Sequence, residues 1–115
     1  MTDSIVVLIT APNEEVAATI AHDVVNSRLA ACVNIIRGVR SIYQWQGKVE
    51  DEGEVLMVVK TRKELFRDLE ERVKGLHPYT VPEIIALPIV AGSEGYLGWL
   101  SEETRSAQTM KEKQP

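Results

Sequence analysis

Few side chains in this sequence are equipped for chemistry, and three of them suit a metal. Cys32 is the only cysteine, and its thiolate is a ligand that soft copper(I) favours. His77 supplies an imidazole, which copper also accepts. Glu83 follows in the same loop-to-strand stretch and adds a carboxylate. Each has a plainer reading. A lone cysteine in a small core behaves as a small hydrophobe, and a histidine at a helix end is well placed to bond the last carbonyls. The residues alone leave both readings open.

A second set is aromatic. Tyr43, Trp45, Tyr79 and Trp99, with Lys60 and Glu83 as polar groups, make the mixture that a small-ligand pocket needs. The same rings suit packing between subunits, where Tyr and Trp are enriched. The acidic run Glu50-Asp51-Glu52-Gly53-Glu54 attracts cations, but hard divalent ions require several convergent oxygens in a set geometry. The run lacks the pattern of a calcium-binding loop and reads as a solvated hairpin tip.

Other chemistries lack their signatures. The sequence has no glycine-rich phosphate loop, no CxxC or HExxH metal motif and no Gly-x-Ser-x-Gly elbow. No acid–base or nucleophile constellation stands out, so the expectation is a protein without catalysis. Thirteen basic and seventeen acidic side chains give a net charge of −4, which argues against nucleic acid and gives no attraction to an anionic membrane. One cysteine allows no intrachain disulfide, and no apolar run approaches a membrane span. The expected compartment is the cytoplasm.

The elements that position these residues follow from periodicity. Ile5 to Ile9 is a β-branched run suited to a central strand. Asn13 caps a helix whose stripe of Val16, Ile20 and Val24 extends to about Leu29. Residues 31–37 form a second strand, Gly38 marks a turn or bulge, and the alternation of Ser41, Tyr43 and Trp45 continues as strand. Residues 55–59 return, completing a long antiparallel hairpin. Thr61 and Glu64 fit a capping box for a helix that His77-Pro78 stops. Residues 83–90 form a last strand, with Pro88 placing it at an edge or bulge. Ser93 caps a short C-terminal helix carrying Tyr96, Leu97, Trp99 and Leu100. The order β-α-β-β-α-β plus a helix is the α+β, ferredoxin-like split βαβ arrangement. It makes one domain over residues 1–103, with a polar tail, read as mobile, over 104–115.

Three segments carry a resemblance to a known family. They are Thr10-Ala11-Pro12 with Arg28-Leu29-Ala30-Ala31-Cys32-Val33-Asn34; Ser41 to Glu50 running on through Glu54, Met57 and Lys60-Thr61; and His77-Pro78-Tyr79, Val81-Pro82-Glu83-Ile84, Leu87-Pro88-Ile89 and Tyr96-Leu97-Gly98-Trp99-Leu100. In order and spacing the chain resembles the CutA divalent-cation tolerance family over about residues 5–101. The resemblance implies a ferredoxin-like fold in a homotrimer, strand pairing between neighbouring subunits, and an association with copper. It implies no assigned reaction. The trimer's likeness to the nitrogen-regulatory PII proteins implies, as an alternative, a regulatory module that senses a small ligand between subunits. Some family members carry a cysteine where this chain has Ile9 and a second histidine where it has Leu76.

Overall fold

The computed structural model describes residues 2–106. Four strands and three helices follow the expected order: β1 (Ser4–Ala11), α1 (Glu14–Asn26), β2 (Cys32–Trp45), β3 (Lys48–Arg62), α2 (Phe66–Leu76), β4 (Ile84–Pro88) and α3 (Glu94–Glu103), with a 3₁₀ turn at Lys63–Leu65 before α2. The strands lie in the order β2-β3-β1-β4, and each neighbouring pair is antiparallel. Each helical connection therefore steps over one strand, β3 within β1-α1-β2 and β1 within β3-α2-β4. This is the split βαβ, ferredoxin-like arrangement that the sequence predicts.

Alternation sorts the sheet into two faces. Ile5, Val7, Ile9 and Ala11 of β1 and Val55, Met57 and Val59 of β3 are buried with Ala17, Ile20 and Val24 of α1 and Leu69 and Val73 of α2. That face is the core. The intervening residues, Val6 and Leu8 of β1 with Leu56, Val58 and Lys60 of β3, point to the opposite face and are half-buried. At one end of that face lies α3: its Tyr96 reaches Cys32, Arg62 Nε donates to Thr104 Oγ1 just past it, and Leu100 is fully buried.

Local chemistry sets the boundaries. Asn13 Oδ1 accepts from the Val16 N–H at 2.8 Å and starts α1. The helix ends at Asn26, short of Leu29, because Arg28 turns left-handed (φ 62°) and the amides of Leu29 and Ala30 fold back onto the Val24 carbonyl. A bulge between Ile36 and Val39 coincides with Gly38 at φ 78°, as its glycine suggests. Pro88 ends β4 on the outer edge.

Three expectations are corrected. The hairpin tip is Gln46-Gly47, between the paired Trp45 and Lys48, so the run from Glu50 to Glu54 lies inside β3, paired with β2. Thr61 caps no helix: it sits in β3, and its hydroxyl donates to the Leu29 carbonyl at 2.6 Å in the core. Thr104 and Arg105, assigned to the polar tail, belong to the folded body. Thr104 is buried against α3, and the Arg105 N–H donates to the Arg28 carbonyl at 2.9 Å. The remainder of the expected tail, from residue 107, lies outside the described residues.

Candidate functional site

A broad concavity lies on the open face, at the Thr10 end. Glu50, Glu52 and Glu54 alternate along β3 and project from one face, and the register sets them opposite Tyr43, Ser41 and Val39 of β2. After α2 the chain rounds the end of the sheet, so that Pro78, Tyr79, Thr80, Val81 and Glu83 complete a groove of about 760 Å³. Trp45 and Thr10 also line it.

The groove is acidic and aromatic. Tyr43 Oη donates to Glu52 Oε1, and Tyr79 Oη donates to Glu54 Oε2, both at 3.0 Å. Burial, then the bond to Glu54 and the nearby Glu52, push the Tyr79 phenol up to about 12. Tyr43 is raised as well, by burial first and then by Glu52. Glu54 is only 8% exposed, and among the described residues no lysine or arginine lines the groove.

The opposite end of the same face holds a different cluster. Cys32 pairs with Lys60 across β2 and β3. Lys60 Nζ lies 3.9 Å from Cys32 Sγ and donates to Asn34 Oδ1. Burial, followed by the neighbouring Cys32, raises the Tyr96 phenol above its ordinary value. The Trp99 ring sits 5.4 Å from that of Tyr96.

The residues singled out from the sequence therefore divide. Tyr43, Trp45, Tyr79 and Glu83 share the groove, whereas Lys60 and Trp99 do not. Lys60 stands six residues along β3 from Glu54, about 20 Å at strand rise. Cys32, His77 and Glu83 do not form one metal site within the chain. Cys32 is level with Val6 of β1 through Lys60, while His77 bonds Thr10, four residues or about 13 Å further along. His77 is buried, and both its ring nitrogens are engaged: Nδ1 accepts from the Tyr79 N–H at 3.1 Å, so Nε2 carries the proton and donates to the Thr10 carbonyl at 2.8 Å. It is a structural histidine, and its bond runs to β1 rather than to the carbonyls ending α2. Among the described residues no three His, Cys, Asp or Glu side chains converge as metal ligands. The sequence reading missed Glu50, Glu52 and Glu54 in the groove and Tyr96 beside Cys32. The signal for the three glutamates was their own period of two, which the hairpin register sets opposite Tyr43, Ser41 and Val39.

No helix among the described residues is long and apolar enough to cross a membrane. Comparison with known proteins finds that the family model described as CutA1 divalent ion tolerance protein matches residues 5–103. The divalent-cation tolerance protein CutA of Thermus thermophilus is 62% identical over 99 residues, covering 86% of this chain and 96% of that one. The chloroplastic CutA of Arabidopsis thaliana is 50% identical over 90% of this chain, which spans only 57% of the plant protein's length. Among solved structures, that of the Thermus thermophilus divalent cation tolerance protein superimposes with a TM-score of 0.87 at 60% identity, covering 89% of this chain and 99% of that one. The Oryza sativa CutA1 structure gives 0.86 at 49%, covering 89% and 94%. With sequence, topology and backbone in agreement over nearly the whole described fold, the chain belongs to the CutA1 divalent ion tolerance family.

Proposed function

We propose that the protein serves divalent-cation tolerance as a homotrimer without catalytic activity, in the cytoplasm, where a single thiol stays reduced. The carrying observation is the sheet's open face. Ile85 and Leu87 of β4, each 50% exposed, stand beside Leu8 and Val6 of β1, and Ile36 of β2 is 47% exposed on the same sheet. The outer edges of β2 and β4 have no partner strand among the described residues. Large contiguous apolar surface of this kind marks an interface, and another copy covers it at no cost in new sequence. The number three comes from the family resemblance. Light scattering tests it: a mass of three chains is expected, falling to one in Leu87→Glu, and a monomeric wild type would sink the reading.

Copper contact is assigned to Cys32. It alone of the three candidates pairs a soft ligand atom with partial exposure, and His77 has no lone pair to spare. A copper(I) titration should saturate in the wild type and in His77→Ala and fail in Cys32→Ser. Absence of saturable binding in the wild type would remove copper from the proposal.

A second reading, a regulatory module sensing a small ligand as PII proteins do, is favoured by the aromatic groove with its buried carboxylate. A ligand that binds only the native state raises the melting temperature. No shift from any cationic, neutral or anionic metabolite would count against it.

A further inference from the structure

We propose that the cavity walled by Arg28, Arg62 and Arg105 binds the phosphoryl group of a small hydrophilic molecule. This site is separate from the groove of the second reading and does not rest on it.

The first observation is an unanswered donor. Among the described residues, Arg105 Nε is the one buried side-chain nitrogen or oxygen without a hydrogen-bond partner. Buried N–H groups normally have one, and the lack is most costly for a charged group. Arg105 also borders the concavity between α1 and α2, beside Asp23, Asp68 and Glu71. Asp23 is taken by Arg72 at 2.6 Å, and among the described residues Arg105 forms no salt bridge with any of the three.

The second observation is what surrounds that donor. The three arginines line a cavity of about 680 Å³ whose other walls are serine, threonine and asparagine, with no carboxylate among them. The carboxylates that Arg28 and Arg62 do meet, Glu103 at 3.7 Å and Glu64, lie outside this lining. The C-terminal end of α3 would repel an anion, but the arginines cover it: Arg28 Nη2 donates to the Glu102 carbonyl at 2.6 Å, and Arg62 Nη2 donates to the Arg105 carbonyl. Guanidinium forks match phosphate oxygens. Three of them arriving from separate chain segments suit a tetrahedral group better than a flat carboxylate. No aromatic or apolar side chain lines the cavity, so nothing there favours a base or an acyl chain.

The walls come from the ends of α1, β3 and α3. Ile36, Ile85 and Leu87, the apolar surface assigned to the trimer contact, are not among them, so association through that surface does not fill the cavity.

Four probes, added to the full chain at constant ionic strength, test the site: inorganic phosphate, glucose 6-phosphate, glucose and citrate. The Arg105 Nε–H resonance, identified by its loss in Arg105→Lys, should shift saturably with both phosphates and stay still with glucose and citrate. Calorimetry should show Arg105→Gln weakening phosphate at least tenfold and Arg105→Lys severalfold, since lysine keeps the charge and loses the fork. Arg67→Gln, outside the cavity, should change nothing. Should Arg105→Gln fail to fold, Arg28→Gln, at an exposed position, is expected to weaken binding severalfold. Glucose 6-phosphate binding tighter than phosphate would support the site and assign it to a phosphate ester; equal affinity would support it and assign free phosphate. Citrate binding as well as phosphate overturns the phosphoryl class. Silence from both phosphates, or binding indifferent to the Arg105 and Arg28 substitutions, overturns the proposal.

Discussion

The Nε2 of His77 lies 2.8 Å from the carbonyl oxygen of Thr10, and this bond fastens the segment after α2 to the end of the central strand. Because Nδ1 also accepts the Tyr79 amide, the ring positions Tyr79 over the groove. His77→Ala leaves a buried carbonyl and an amide without partners, at a cost of about 1–3 kcal/mol each where water cannot reach them. A drop in the denaturation midpoint is expected, together with a rise in amide exchange at Tyr79. A variant as stable as the wild type would contradict the structural role.

Thr61 offers a cleaner test of a single hydrogen bond. Its hydroxyl bonds the Leu29 carbonyl at 2.6 Å and is fully buried. Thr61→Val keeps the shape and removes the donor. The expected loss is about 1–3 kcal/mol from the orphaned carbonyl, read from urea unfolding. Thr61→Ser, which keeps the donor, should recover most of that bond's contribution while losing the methyl's packing.

Much of the fold is legible in the sequence because the relevant signals are local. The unbroken apolar run Ile5–Ile9 announces a central strand, and Asn13 and Ser93 announce the helices they cap. Thr61 misleads for the same reason. Its spacing to Glu64 satisfies a capping box, but the strand continues through Arg62 and the hydroxyl finds a partner 32 residues away. The groove is half legible. Tyr43, Trp45, Tyr79 and Glu83 are visible as types, but Lys60 joins them only on a sheet short enough to bring both ends together. The strand rise forbids that. Glu54 is hidden because an acidic run reads as solvent-facing until the β2–β3 register and the returning loop bury one member of it.

The Tyr79 phenol fixes a pH dependence. Its folded pKa of about 12 lies above the ordinary value of 10. Between those values the unfolded chain has lost the proton that the folded chain keeps, so ionisation favours unfolding. The contribution is complete below pH 10 and is lost as pH rises toward 12. Stability should fall over that window, and Tyr79→Phe should flatten that part of the slope. Phenolate absorbance followed by pH titration should show one tyrosine ionising well above a normal phenol. If the titrations of wild type and Tyr79→Phe differ only by a normal phenol, the burial of Tyr79 against Glu54 is wrong.

The hairpin tip gives the last prediction. Gln46 (φ 50°) and Gly47 (φ 79°) are both left-handed, the signature of a two-residue turn whose twist matches the strands it joins. Glycine takes that conformation freely. Glutamine does not, whereas asparagine tolerates it. Gln46→Asn should therefore stabilise the arm by a few tenths of a kcal/mol, and Gly47→Ala should weaken it by roughly 1 kcal/mol. The arm from Ser41 to Glu52 is largely exposed in the single chain, so local opening precedes global unfolding there. Amide exchange across Tyr43–Glu50 and Trp45–Lys48 is the proper readout: slower in Gln46→Asn, faster in Gly47→Ala. Equal exchange rates in both variants would show that packing, and not the turn, holds the groove's outer wall.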